Sequence, residues 1–212
     1  MSALHPDKAL IFRIVHVDNL PWMLDHWLQC RNSPNQNPNH VNIGSEELIA
    51  VRRERRVPIP PGGGYGDYVP FYFTPWSIMM LNIKTGYGVP QRRNDEILIC
   101  VASLRDFHAA GRRFVFTNQH GCSAGLEFSN DLADLEWLVD WRLLNSKDFK
   151  RDPEDPGKQL RYQAEAMIHG DIPLDSLRGI VCHSETTLAR IRAMVTPRYP
   201  DLSLKSLPHW YF

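Results

Sequence analysis

The segment that most limits how this chain can fold is residues 58–64, PIPPGGG. Pro58, Pro60 and Pro61 remove backbone donors and fix φ, and Gly62, Gly63 and Gly64 come directly after them. Neither a helix nor a central strand can run through such a stretch. On its N-terminal side lies a helix that must stop, EELIAVRRERR. Ser45 is placed to cap that helix, with acids in its first turn and arginines in its last, the order the helix dipole favours. On its C-terminal side, beyond Asp67, lies a strand, YVPFYF over 68–73, where Pro70 marks an edge or a bulge.

The rest of the chain alternates between the two periods. LIFRIVHV at 10–17 reads as a strand, with Ile11, Arg13 and Val15 on one face and Phe12, Ile14 and His16 on the other. Asp18 then reads as the N-cap of a short helix with Pro21 in its first turn. Residues 31–44, rich in Asn and Pro, form a loop. Thr74 and Pro75 read as N-cap and first helical residue of WSIMMLNI. EILICVA at 96–102 is a buried strand, SLRDFHAAG a short helix closed by Gly111, and RFVFT another strand. Residues 130–143 read as helical and 145–159 as a long exposed loop. RYQAEAMIHG is open between helix and strand. LRGIVCHS is a strand, SETTLARIRAMV a helix capped by Ser184, and LSLKSLPHWYF a last strand. Strands and short helices mix without a regular βαβ repeat. The expectation is one α+β domain over residues 1–212.

Composition narrows the function classes. The 212 residues carry 24 Lys and Arg against 24 Asp and Glu, so any nucleic-acid contact must come from a local basic patch. Cys30, Cys100, Cys122 and Cys182 have neither disulfide-framework nor zinc spacing, and reduced thiols of an intracellular protein are expected. His16, His26 and His40 lack a metal spacing, so no metal site is expected. No secretion signal or membrane span is seen.

Four features carry possible chemistry. PPGGGYGDY lacks the Lys-Ser/Thr of a phosphate loop and leads into a strand; it is a flexible loop or one that lies close to a ligand. Arg52, Arg53, Arg55 and Arg56 are the densest positive cluster; on a helix Arg52 shares a face with Arg55 and Arg56. This is a solvated helix end or an anion site for phosphates. His120-Gly121-Cys122 is not a nucleophile and base, because such partners approach from across a fold. Glu165 sits among apolar neighbours and is either a solvated edge residue or a carboxylate with a partner or a task.

Taken together, IFRIVHVDNL, RR…VPIPPGG…DYVPFYF, RRFVFTNQHG, RYQAEAMIHGDIP and the terminal HWYF resemble the DarT family of DNA ADP-ribosyltransferase toxins. The resemblance implies an ADP-ribosyltransferase fold: split small β-sheets forming an NAD cleft, with flanking short helices. It implies transfer of ADP-ribose from NAD to a thymidine base in single-stranded DNA, with release of nicotinamide. NAD is then a substrate. The family members are bacterial cytoplasmic toxins, paired with a macrodomain antitoxin that reverses the modification; a monomer without membrane attachment is expected. The family's essential glutamate matches Glu165, in Gln163-Ala164-Glu165. Its functional arginine matches Arg52, with Arg53 as the neighbouring alternative. The first strand should bind NAD through Arg13, Ile14, Val15 and His16, with Asn19 and Leu20 close by, and Arg52 and Tyr72 complete the cofactor set. Where some relatives carry His-x-Thr on this strand, this chain has Arg13-Ile14-Val15, and Arg13 looks like a substitute contact.

The loop before the glutamate usually chooses the acceptor in such enzymes. Here it offers Lys147, Lys150, Arg151 and Lys158 for DNA phosphates and Phe149 for stacking, or it is simply a disordered polar loop. His120 is placed to reach the acceptor base. Tyr68, Phe71, Tyr72 and Trp76 could frame nicotinamide or a splayed base, although half of a strand must face the core. Breaking the nicotinamide–ribose bond creates an oxocarbenium-like sugar, which a carboxylate beside the ribose hydroxyls stabilises. An arginine, with a pKa above about 12, holds its proton too tightly to serve as base. Arg52 is therefore expected to stabilise a deprotonated thymine. Transfer to guanine, RNA or protein, and a non-catalytic single-strand binder, are the competing readings.

Overall fold

The computed structural model describes residues 4–212. Eight strands form one mixed sheet: β1 (Leu10–His16), β2 (Tyr68–Tyr72), β3 (Ile97–Ser103), β4 (Phe114–Thr117), β5 (Phe128–Ser129), β6 (Glu165–His169), β7 (Gly179–Cys182) and β8 (Ser203–Ser206). Their order across the sheet is β5-β4-β6-β2-β1-β3-β7-β8. Eight short helices flank it: α1 (Leu20–His26), α2 (Glu46–Arg53), α3 (Ile78–Thr85), α4 (Leu104–Ala109), α5 (Leu135–Leu138), α6 (Trp141–Ser146), α7 (Lys158–Arg161) and α8 (Glu185–Val195).

The core is built on β3, whose seven residues are all buried. β3 pairs with β1 along the full length of both, from Leu10 opposite Ser103 to His16 opposite Ile97. Tyr211 ties this half together, its one hydroxyl proton shared between the carbonyls of Ile97 and Val181, each 3.0 Å from Oη. The other half is as regular: β2 pairs with β6 over five positions and β6 with β4 over three.

The two halves meet weakly. β1 and β2 share one paired position, Phe12 with Tyr72. A continued antiparallel ladder would set Ile14 against Pro70 and His16 against Tyr68. Pro70 has no N–H to give, so the ladder stops there. The edge or bulge expected of Pro70 is thus a seam inside the sheet. The split-sheet ADP-ribosyltransferase architecture expected from the sequence takes this form here, and the cleft lies over the seam.

Several element boundaries differ from expectation. α2 ends at Arg53, so Arg55 and Arg56 leave the helix and do not share its face with Arg52. The helix expected over 130–143 breaks at Val139 and Asp140 into α5 and α6, with Asp140 capping the second through Leu143 N–H at 2.9 Å. Ser77, not Thr74, caps α3, and Asn19 rather than Asp18 precedes α1. RYQAEAMIHG is both alternatives in turn, the end of α7 and then β6. The last strand stops at Ser206, because Pro208 turns the chain into a short 3-10 helix. No described helix is long and apolar enough to cross a membrane. Among the described residues no group of three or more His, Cys, Asp or Glu is placed to hold a metal.

Candidate active site

A cleft of about 640 Å³ opens over the β1–β2 seam. Its floor is Arg13, Ile14, Val15 and His16 from β1 and Tyr68, Pro70, Phe71 and Tyr72 from β2. One wall is the Asn- and Pro-rich loop, from Gln36 to Gly44, continuing into α2. Asn19 braces that wall. Its amide accepts from Val41 N–H at 2.8 Å and donates to Val41 O at 2.9 Å. Both polar ends of Asn19 are therefore spent on the loop, although the residue borders the cleft as expected.

At one end stand Arg52 and Glu165, 113 residues apart in sequence. Glu165 opens β6 opposite Tyr72 and is 1% exposed. Its backbone N–H donates to Thr117 Oγ1 at 3.2 Å, which fixes the strand end. Arg52 reaches it from the last turn of α2 as a two-point fork, Nη1 to Oε1 at 2.9 Å and Nη2 to Oε2 at 2.5 Å. Burial works against the Arg52 charge, but the coulombic and hydrogen-bonding hold of Glu165 outweighs it, and the guanidinium pKa is raised. Two oxygens of an ionised carboxylate offer about four acceptor sites, so Glu165 keeps capacity for a ligand hydroxyl. Arg53, the neighbouring alternative, borders the cleft but does not pair with Glu165; its Nε donates to Asn32 Oδ1 at 3.0 Å.

Two residues not singled out from the sequence complete this end. Tyr65 lies under the pair, its ring centroid 5.6 Å from Arg52 Cζ and 5.8 Å from Arg55 Cζ. Gly121 presses on both. A Cβ there would sit 2.9 Å from Tyr65 Cε2, 3.1 Å from Glu165 Oε2 and 3.3 Å from Arg52 Nη2. The signal was present in His120-Gly121-Cys122, but it lay in the glycine rather than in the cysteine.

The cleft also holds buried polar atoms without a hydrogen-bond partner: Arg13 Nε, Tyr65 Oη and His16 Nε2, the last 3.7 Å from Glu96 Oε1. Arg13 spans the seam by donating through Nη1 to Pro70 O at 2.9 Å, and burial pulls its pKa below the ordinary value. The Tyr72 phenol is pushed up to about 12 by burial, so it stays protonated and can donate. Buried donors waiting over an apolar floor fit a large ligand with phosphate, ribose and aromatic parts, such as NAD.

His120 lines the same end. Its Nδ1 accepts from Cys122 N–H at 3.3 Å, which leaves the ring proton on Nε2. Burial lowers its pKa, against the pull of Glu165. His40, on the cleft wall, is also lowered, by burial first and then by Arg13 and Arg31. A histidine whose folded pKa is depressed contributes stability above its unfolded pKa and loses it as pH falls, because the unfolded chain then binds the extra proton. Thermal unfolding measured between about pH 7.5 and about pH 5.5 should therefore show a falling midpoint, and His120→Gln should flatten that fall.

The remaining expected residues lie elsewhere. Leu20 is fully buried in the core and does not border the cleft. Trp76 is buried too, with Lys147 Nζ 3.6 Å over its ring. Phe149 is packed rather than free, against Tyr162 and Phe212 at ring distances of 4.9 and 5.7 Å. Lys158 is held by Asp148 at 2.5 Å and Asp152 at 3.9 Å. Lys150 and Arg151 are both exposed, and neither borders the cleft.

Comparison with known proteins bears on this geometry. Residues 12–212 match the family model described as ssDNA thymidine ADP-ribosyltransferase, DarT. A DNA ADP-ribosyl transferase of Escherichia coli O127:H6 is 44% identical over 212 residues, covering 100% of this chain and 97% of the relative. The structure of Thermus sp. 2.9 DarT in complex with ADP-ribosylated ssDNA superposes with a TM-score of 0.88 at 29% identity, covering all of both chains. The same protein in complex with NAD+ gives 0.80, covering 98% of this chain and 100% of that one.

Proposed function

Because the chain belongs to the DarT family of single-stranded-DNA thymidine ADP-ribosyltransferases, we infer that its cleft binds NAD over the β1–β2 seam and performs the transfer at Arg52 and Glu165. The enzyme moves ADP-ribose from NAD to a thymidine base of single-stranded DNA, releases nicotinamide, and acts as a toxin. One observation carries the assignment of residues: a carboxylate 1% exposed, forked by an arginine, at the end of a cleft whose floor offers unpartnered donors.

The roles derive from charge and hydrogen-bonding capacity. As the glycosidic bond breaks, positive charge grows on the ribose, and the ionised Glu165 is the nearby counter-charge. It also accepts a hydrogen bond from the ribose 2′-hydroxyl through the lone pairs that Arg52 leaves free. The thymine ring nitrogen bonds to the ribose carbon, nicotinamide leaves with the bonding pair, and the nitrogen's proton passes to water or to Glu165. Arg52 keeps its own proton and stabilises the base anion. His120, neutral with its proton on Nε2, donates to a carbonyl oxygen of the base. Arg13 and Tyr72 supply donors for NAD, with Ile14, Val15 and His16 completing the floor. The chain works as one domain, a reading its single eight-stranded sheet supports, and family membership supports a monomer in the bacterial cytoplasm opposed by a macrodomain antitoxin.

The test is incubation with NAD and short oligonucleotides, with RNA and duplex controls, read by mass spectrometry. One ADP-ribose added to thymidine-containing single strands, with nicotinamide released, is expected. A target base in duplex would first have to be flipped, at a cost of a few kcal/mol, so duplex should react poorly. Product on thymidine-free DNA or on RNA would move the acceptor to the second reading.

A further inference from the structure

The arginines at the end of α2 and just beyond it are not absorbed by the Arg52–Glu165 pair. Arg53 closes that helix, Arg55 and Arg56 sit on the turn that leads to the Pro-Gly loop, and none of the three has an ion-pair partner among the described residues. Arg53 is exposed, with an amide as partner. Arg55 is half-buried and donates to the carbonyl of Ser123 at 3.3 Å. Arg56 is exposed, its backbone bridged to Gly64. Of the acids on this stretch, Glu54 stands exposed between Arg53 and Arg55 with no ion pair among the described residues, and Asp67 is engaged by Asn32 Nδ2 at 2.8 Å and Gly64 N at 2.7 Å. In the loop before Glu165 three of the five cations are engaged, and Lys150 and Arg151 stand exposed without an ion pair among the described residues. Lys158 and Arg161 are tied to Asp148, Asp152, Asp140 and Asp155, and Lys147 lies on Trp76.

The turn also adjoins the catalytic end. Arg55 and Arg52 share the Tyr65 ring, and the 120–123 loop that Arg55 touches carries His120 and Gly121. Beside Arg55, and outside the cleft lining, the hydroxyl of Ser123 has no hydrogen-bond partner. Unpaired guanidinium N–H groups and idle hydroxyls are what a phosphodiester oxygen requires. We propose that the acceptor strand's backbone runs over the 53–56 turn, with Arg55 holding a phosphate next to the target base and Arg53 and Arg56 holding its neighbours. The 147–158 loop then contributes shape more than charge.

This inference rests on the acceptor being single-stranded DNA. Its test is affinity for a thymidine-containing oligonucleotide without NAD, so that nothing turns over, measured across salt concentration. Each phosphate contact on a single strand adds about 0.7 to the slope of log affinity against log salt. Arg53→Gln with Arg56→Gln should weaken binding and flatten the slope by about 1.4, for two contacts, with melting temperature unchanged, and Arg56→Gln alone should flatten it by about 0.7 with NAD affinity unchanged. Arg55→Gln should add to this, and Arg55→Lys should restore the slope. Lys150→Gln with Arg151→Gln should leave the slope within a few tenths of the parent. A flattened slope in the Lys150/Arg151 pair with none in the Arg53/Arg56 pair overturns the proposal, as does a parent slope kept in both. A parent chain that binds no oligonucleotide overturns the acceptor reading and this inference with it.

Discussion

Glu165→Gln is expected to lower ADP-ribose transfer by about a thousandfold, since losing one preorganised electrostatic group in a closed site costs roughly a hundredfold to a thousandfold. Glutamine keeps the size of the side chain and one acceptor oxygen, but not the charge. The sugar cation forming in the transition state loses its counter-ion, and an amide N–H₂ group now faces Arg52 Nη2, which had been 2.5 Å from a carboxylate oxygen. The interaction is made mainly in the transition state, so kcat should fall while the KM for NAD changes little. Arg52 is left without its partner, but its side chain is 19% exposed at the end of a helix with no buried residue, and it can turn toward water. Single-turnover transfer with an NAD-binding titration checks this. A variant that transfers at the parent rate would show that the carboxylate is not the catalytic group.

Gly121→Ala should cost about a hundredfold in transfer, because displacements of about 1 Å at a reacting centre have that effect. The backbone here is not in the left-handed region, so alanine suits the chain itself. The cost is steric. The new methyl would stand 2.9 Å from the Tyr65 ring and 3.1 Å from Glu165 Oε2, and something must shift. The Tyr65 ring is buried, and β6 holds the Glu165 backbone against both β2 and β4, so the carboxylate itself must move. Folding should survive, since the displaced groups border a cleft. The expected result is a near-parental melting temperature, near-parental NAD affinity and a large loss of transfer. Full activity in Gly121→Ala would mean that the Arg52–Glu165 pair tolerates displacement and that its fork is not tuned.

Much of the fold could be read from local pattern. Ser45 and Ser184 cap α2 and α8 as their positions imply, accepting from Leu48 N–H at 3.4 Å and Thr187 N–H at 3.2 Å. EILICVA is the buried centre, and Gly111, at φ 69°, ends the α4 region. The misreadings occur where two short elements abut. The apolar spacing of 130–143 suits one helix, but Val139 is extended and Asp140 starts a new cap, so the pattern continues while the backbone does not. Phe149 and the lysines around it had the composition of a DNA-contacting loop. Whether an aromatic in such a loop is free depends on what folds beneath it, and here Tyr162 and the C-terminal Phe212 do.

The sequence by itself determined the strand and helix periods, the break at 58–64, the family and hence the reaction, and the identity of Arg52 and Glu165 as the residues to watch. The periods and the break are properties of neighbouring residues, whose spacing and capping act over a turn or a strand; the family, the reaction and the choice of Arg52 and Glu165 came from the resemblance of whole segments to known relatives. Only the tertiary structure decided that Arg52 forks Glu165, that Pro70 opens the sheet over the cleft, that Gly121 and Tyr65 press on the pair, and that Leu20 is core. Those outcomes depend on strand register between distant segments, Tyr72 against Glu165 and Phe12 against Tyr72. Register is set by the burial of whole faces at once, and a side chain's partner across it is not written in its own neighbourhood.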